Sequence, residues 1–268
     1  MTSSRKQLLV LAVLVGVYAL LAFLTYALEP LRESLLRTAE GSTVPLPLAN
    51  VSYLQAAAWN AVIVFALYGL LGLLGIWLAM RVGIPGVFRP RAGLRAWVLW
   101  PAAIGLGTGA AATLLDFAFT LKEGIWVGFP HPEFPLSLVA SVTAGLGEEI
   151  TFRMVVMGLW AYIALRIARQ RHVPTSELGP ARTTGLWTGN VIAALAFGAM
   201  HIPAVMVLLG TTSLSGIPPV ALIELFVLNG IIGVVAGERY MREGLVAAAG
   251  VHFWANVFWH VVWPLLGP

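Results

Sequence analysis

The sequence predicts an all-α protein, a polytopic bundle of about seven transmembrane helices. Of its 268 residues, 59% are hydrophobic and only 10% are charged, whereas about 25% of residues are charged in soluble domains. The mean hydropathy is +0.87. Apolar stretches of about 20 residues, the length a helix needs to cross a bilayer core, recur along the chain.

Seven apolar stretches are candidate spans. The first follows Arg5 and Lys6 but is longer than the apolar part of a signal peptide and lacks a clear cleavage site, so we expect it to be retained. Residues 29–53 and 168–184 are predicted loops. The predicted spans are 7–28, 56–80, 94–121, 135–165, 186–209, 219–237 and 245–266.

The basic residues lie mostly on one side of the predicted bundle. Twelve of the 16 Lys and Arg residues flank alternate span ends, three lie on the other side, and Arg153 falls inside a span. Because Lys and Arg accumulate in cytoplasmic loops, we expect a cytoplasmic N-terminus. The net charge of +4 is then a topology signal, and we expect a lipid bilayer and no nucleic acid as partner. The twelve are Arg5, Lys6, Arg81, Arg89, Arg91, Arg95, Arg166, Arg169, Arg171, Arg182, Arg239 and Arg242.

The fourth predicted span contains the stretch GLGEEITFRM, residues 145–154. A charge at the centre of a transmembrane helix costs about 2.5–3.5 kcal/mol on insertion scales, so each such residue is by default a functional hypothesis. Residues four apart share a helix face. We therefore expect Glu149 and Arg153 to form an ion pair, while Glu148 points elsewhere and remains available.

Two other predicted spans add polar side chains at helical spacing. Phe197 and His201 are one turn apart in the fifth, and His252 and Asn256 are one turn apart in the seventh, with His260 continuing that stripe. A bundle can bring one polar face from each of three helices together. The predicted pocket holds a carboxylate, two imidazoles and an amide.

This set of groups is suited to peptide hydrolysis in two ways. A carboxylate beside an imidazole can remove a proton from water as general base, while the second imidazole and the amide donate hydrogen bonds to the oxyanion. Alternatively, Glu148, His201 and His252 bind Zn²⁺, which activates the water. The residues leave both versions open, and Zn²⁺ is the one cofactor considered.

The three motifs resemble those of the CPBP intramembrane proteases, which include the CAAX prenyl endopeptidases and the bacterial Abi proteins. They are Glu148-Glu149-x-x-x-Arg153, Phe197-x-x-x-His201 and His252-x-x-x-Asn256, in this order, within residues 139–262. The family is commonly grouped with metalloproteases, although a metal-free glutamate mechanism is also proposed for it. The resemblance implies a catalytic set of Glu148, Glu149, His201, His252 and Asn256, supported by Arg153 and Phe197.

The resemblance also implies a role for each group. Glu148 would be the general base, His201 would help to activate the water, and His252 and Asn256 would stabilise the oxyanion. We expect one membrane domain over residues 1–268, with scaffold helices in 1–138 and the protease core in 139–262. The expected substrate is a membrane-associated protein or peptide, and the expected location is a prokaryotic cell membrane. Prenylated substrates are eukaryotic, so we do not transfer them.

Other functions fit the sequence less well. The H-E-x-x-H motif of zincins does not occur, and Asp116 is the only aspartate, whereas intramembrane aspartyl proteases need two. A transporter should show two related halves, which are not visible. A non-catalytic membrane scaffold or immunity factor is the alternative from a different class. Asp116 and Glu224 are expected near span ends, close to water, and Asn229 either caps a kink or lines the cavity.

Overall fold

The computed structural model describes residues 3–38, 51–123, 131–170 and 178–266, and all regular elements in these ranges are helical. Seven helical segments are long and apolar enough to cross a membrane. The predicted all-α bundle of seven spans is therefore confirmed, and the segments are called spans 1 to 7. The orientation of the N-terminus stays a prediction.

Three of the spans are single helices, and four consist of helical pieces joined end to end. Span 1 is Ser3–Ala27, span 2 is Tyr53–Val82 and span 6 is Pro219–Glu243. The jointed spans are span 3, Arg95–Leu99 with Trp100–Glu123; span 4, Leu136–Glu149, Ile150–Met157 and Gly158–Gln170; span 5, Leu178–Met200 with Ile202–Leu208; and span 7, Leu245–Val257, Phe258–Val262 and Trp263–Leu266.

Several helices extend further than hydropathy predicts. Span 2 begins after Ser52, whose hydroxyl accepts a hydrogen bond from the Gln55 N–H, and it ends at Gly83 with φ of 77°. Such caps satisfy the terminal backbone groups of a helix without any apolar residue. The predicted loop 29–53 contains the helix Glu29–Thr38, and the predicted loop 168–184 is helical up to Gln170 and again from Leu178. Residues 39–50 and 171–177 lie outside the described residues.

Among the described residues, three stretches are π-helical, namely Arg95–Leu99, Ile150–Met157 and Phe258–Val262. The second begins directly after the Glu148–Glu149 pair and includes Arg153. A π turn adds a residue to the helical repeat and is found often at functional sites. In span 4 the π-helical stretch changes which side chains face the bundle interior in the part of the helix that follows Glu149.

Most basic residues lie at span ends or in the connections beside them. These ends meet on one face of the bundle, which we call the basic face. Arg182 Nε, near the start of span 5, donates to Val82 O at 2.6 Å. Gln7 Nε2 in span 1 donates to Phe88 O at 2.7 Å, and Arg89 N donates to Glu243 O at 2.8 Å. These contacts join span 1 to the three connections that carry most of the basic residues.

Close helix packing fixes span 3 against span 7. Gly105 and Gly109 form a G-x-x-x-G pair, a spacing that lets membrane helices approach closely. A Cβ added at Gly105 would lie 2.5 Å from Val251 O, and one at Gly109 would lie 2.6 Å from Ala255 O. Span 7, which carries His252, is therefore held in place by backbone contact with span 3.

We predict that Gly105→Ala destabilises the protein by about 1–3 kcal/mol, the usual cost of overpacking. Gly107→Ala is the matched control, because a Cβ there meets no atom within 4 Å. Thermal unfolding of the purified protein in detergent measures both. Equal midpoints for the two variants would contradict the close approach of spans 3 and 7.

Candidate active site

The three predicted motifs converge in the interior of the bundle. The part of span 4 before Glu149 packs against span 7, and the part after Glu149 packs against span 5. Span 6 packs against spans 5 and 7. Glu148, His201, His252 and Asn256 all line one cavity. The predicted pocket of one carboxylate, two imidazoles and an amide is therefore present.

The predicted ion pair is also present. Arg153 Nε lies 3.1 Å from Glu149 Oε2, and both side chains are 0% exposed. Burying two charges costs several kcal/mol per ion unless their remaining hydrogen-bonding groups find partners. Both residues lie behind the cavity wall, away from its lining.

His252 lies between the two glutamates. Its Nδ1 is 2.9 Å from Glu149 Oε1, and its Nε2 is 3.5 Å from Glu148 Oε2. Because an ionised carboxylate only accepts hydrogen bonds, Nδ1 carries a hydrogen and donates it to Glu149. The Nε2 atom is left to face Glu148. Glu149 thus bridges Arg153 and His252, which favours a positioning role over direct contact with water.

Phe197 is the aromatic centre of the site. Its ring centroid lies 5.0 Å from that of His201, 5.4 Å from that of His252 and 5.7 Å from the Arg153 guanidinium carbon. The contacts with the two imidazoles are edge-to-face, an arrangement that aromatic rings favour. Phe197 therefore packs against both histidines and Arg153, and its supporting role stays a prediction.

His201 lies at a break in span 5, between the helices Leu178–Met200 and Ile202–Leu208. Its Nδ1 is 2.9 Å from the Phe197 carbonyl oxygen. A carbonyl only accepts, so Nδ1 carries the hydrogen and the Nε2 atom of the neutral ring is an acceptor. His201 is therefore prepared to accept a hydrogen bond from a water molecule in the cavity.

The cavity has a volume of about 320 Å³ and is mostly apolar away from these side chains. Its remaining lining residues are Ala140, Ala144, Ala204, Leu208, Leu225, Leu228, Asn229, Ile232, Trp259 and His260. A few convergent polar groups in an otherwise apolar cavity are typical of a small-molecule or peptide site.

Comparison with known proteins agrees with this site. Residues 130–258 match the family model for Type II CAAX prenyl endopeptidase Rce1-like proteins. This match supports a CAAX-type protease family for residues 130–258. No curated protein and no solved structure matches the chain. The matched region spans all three motifs, and the chain is an integral, multi-pass membrane protein.

The cavity is also lined by two polar residues outside the three motifs, His260 and Asn229, and lining the cavity was one of the two expectations for Asn229. Asn229 lines the cavity and donates from Nδ2 to Leu225 O at 2.8 Å. His260 lines the cavity too, two turns beyond His252. Its position on the stripe of His252 and Asn256 was the available signal, but the distance along the helix argued against it. The cavity extends along span 7 from His252 as far as His260.

Further polar residues surround His260. His131 Nδ1 lies 3.1 Å from His260 Nδ1. Burial lowers the pKa of His131, and the nearby Asp116 carboxylate opposes this shift. Glu224 interacts with Asp116 and is 1% exposed. The expectation that Glu224 lies close to water is wrong, because its side chain lies on the buried face of span 6 with Ala221 and Leu225.

The donor arrangement gives no support to the metal alternative. In the described part of the chain, no three His, Asp or Glu side chains are placed to hold one metal ion. The Nδ1 atoms of both motif histidines donate to Glu149 and to Phe197 O, so only their Nε2 atoms could bind a metal. We therefore derive no step through Zn²⁺ on Glu148, His201 and His252.

We predict that Glu149→Ala destabilises the protein by about 3–5 kcal/mol, because it leaves Arg153 as an uncompensated buried charge. Adding Arg153→Leu should recover part of this loss, since no charge is then unpaired. Thermal unfolding in detergent measures both variants.

Glu238→Ala is the control for this prediction. Glu238 pairs with Arg242 in a partly exposed bridge, and the change should cost less than about 1 kcal/mol. An unfolding midpoint for Glu149→Ala equal to that of Glu238→Ala would contradict the structural role of the Glu149–Arg153 pair.

Proposed function

We propose that the chain is an intramembrane endopeptidase that hydrolyses a peptide bond of a membrane-associated protein or peptide, with Glu148 as general base. The family match supports a CAAX-type intramembrane protease in general. The observation that carries the finer proposal is that Glu148 faces the same cavity as His201, His252 and Asn256.

Activation of water is the first step of the proposed reaction. A water between Glu148 and the acceptor nitrogen of His201 is oriented by hydrogen bonds to both. Glu148 removes its proton as the water oxygen attacks the carbonyl carbon. A positioned general base of this kind contributes about 10²–10⁴-fold to the rate. The side chain of Glu148 is 23% exposed, so water can reach it.

Stabilisation of the tetrahedral intermediate falls to Asn256 and His252. The carbonyl oxygen becomes an oxyanion, and the Asn256 amide N–H and a protonated Nε2 of His252 donate hydrogen bonds to it. Such donors are most effective when they are fixed before the reaction. His252 is fixed by its hydrogen bond to Glu149 and by Phe197.

Collapse of the intermediate completes the reaction. Glu148, now protonated, donates its proton to the leaving nitrogen, and the carbon–nitrogen bond breaks. The products are a new carboxylic acid and a new amine, which ionise to a carboxylate and an ammonium group, and Glu148 returns to its ionised form. Because every proton taken from the water is given back to a product, the cycle needs only water as co-reactant.

The apolar walls of the cavity define the proposed substrate class. Ala140, Ala144, Leu225 and Leu228 lie beside the polar groups, and they fit an extended apolar segment with small side chains. A peptide bond enters such a cavity only if its segment is unwound, because helical backbone hydrogen bonds shield the carbonyl carbon from water.

We predict that Glu148→Gln reduces proteolysis by about 10²-fold or more, because the amide cannot act as a general base. Membrane peptides from cells that express wild type or Glu148→Gln at equal levels are compared by quantitative mass spectrometry of new termini. Termini found only with the wild type support the proposal and identify a substrate.

Glu238→Gln is the matched control. It is the same chemical change at the basic end of span 6, where Glu238 pairs with Arg239 and Arg242. It should give the wild-type set of termini. Identical termini from the wild type and from folded, abundant Glu148→Gln would refute the proposal in favour of a scaffold or transporter.

A further inference from the structure

The cavity extends in one direction only, away from the basic face. In each of the four lining spans, the lining residues run from the level of the polar groups toward the opposite side. From Glu148 to Ala140 and from His252 to His260 the cavity extends by eight residues, or about 12 Å at 1.5 Å per helical residue.

Toward the basic face, by contrast, the interior is filled. Four side chains that are 0% exposed lie between the glutamates and the basic face, namely Arg153, Met154, Met157 and Tyr240. Leu245, the first residue of span 7, lies at the same level and is also 0% exposed. The Leu245 N–H donates to Gly86 O at 3.1 Å, which ties this floor to the connection between spans 2 and 3. A peptide has no path to Glu148 through this packed region.

The side wall of the cavity is open between spans 4 and 5. The lower half of span 4, from Ile150 on, packs against span 5, whereas its upper half, Leu136–Glu149, packs mainly against spans 7 and 1. In the upper half the cavity itself separates Ala140 and Ala144 from Ala204 and Leu208. Leu208 lines the cavity and is still 40% exposed.

We propose that substrates reach the site from the side opposite the basic face, as apolar peptide segments that pass between spans 4 and 5 in the outer half of the bilayer. The inference rests on the proposed function for its substrate class. The excess of Lys and Arg on the basic face marks that face as cytoplasmic. The protein then acts on segments presented at the extracytoplasmic surface.

The polar groups at the mouth fit a segment that arrives from a membrane surface. His131 and His260 meet there at 3.1 Å, and Asp116 contributes a charge near His131. An apolar segment whose flank remains polar can lie with its apolar part along Leu208 and Leu225 and its flank at this cluster. The scissile bond would then lie about 12 Å deeper, beside Glu148.

The first test measures which side of the membrane the mouth faces. The chain has no cysteine, so an introduced cysteine is its only thiol. Ser215→Cys lies in the exposed connection between spans 5 and 6, and Arg169→Cys lies at the exposed end of span 4 near the basic face. A membrane-impermeant maleimide is added to intact and to permeabilised cells.

We expect Ser215→Cys to react in intact cells and Arg169→Cys to react only after permeabilisation. The reverse pattern would overturn the proposal, because the mouth would then face the cytoplasm. This measurement does not use turnover, so it is independent of whether the protein is a protease.

The second test measures passage through the mouth. Leu208→Cys is combined with Glu148→Gln so that no peptide is consumed, and the purified protein reacts with maleimide with or without a synthetic apolar peptide. At about ten times the Kd of the peptide, modification should slow about tenfold, since only about one site in eleven stays free. Arg169→Cys with Glu148→Gln is the control and should be unaffected.

An unchanged rate at Leu208→Cys, with the peptide shown to bind by an independent titration, overturns the proposed route. Loss of peptide binding altogether overturns it as well. Failure of the proposed function has a different signature, because new termini would then be absent while the labelling pattern stands.

Discussion

The buried carboxylate of Glu149 is the constraint on which the rest of the site depends. One of its oxygens pairs with Arg153 and the other accepts from His252, and all three side chains are nearly or fully buried. In an apolar bundle an unpaired charge or polar group is costly, so these three groups are stable only together. Their contacts hold spans 4 and 7 together at this level and turn Nε2 of His252 toward Glu148.

The same constraint places the two neighbouring glutamates in different environments. Glu149 is directed into packed protein, whereas Glu148, next to it in sequence, faces the cavity and is partly exposed. Phe197 closes the arrangement by packing on both histidines and on Arg153. The Glu149–Arg153 pair, the two imidazoles and the Phe197 ring are packed together at the closed end of an apolar cavity. Such packing is suited to fixing polar groups in place before a substrate arrives.

Much of the fold could be predicted from sequence, because hydrocarbon solvent requires long apolar helices. The Glu149–Arg153 pair was predictable too, since it depends only on helical spacing. The contact of His252 with Glu149 joins residues 103 positions apart, and no local pattern specifies it. Helix ends were misplaced because polar caps and basic flanks continue a helix beyond the bilayer core. The burial of Glu224 and the reach of the cavity to His260 depend on how spans enclose each other, which hydropathy does not describe.

The most direct test of this account is the turnover of Glu149→Gln on a peptide substrate identified by its new termini. Glutamine keeps the shape of Glu149 but presents an amide where His252 and Arg153 need a carboxylate. The account predicts that turnover falls by about 10² or more, within the range of acid–base contributions, while the Kd of the same peptide for the folded protein is unchanged. Wild-type turnover in Glu149→Gln would contradict the claim that this buried carboxylate positions the site.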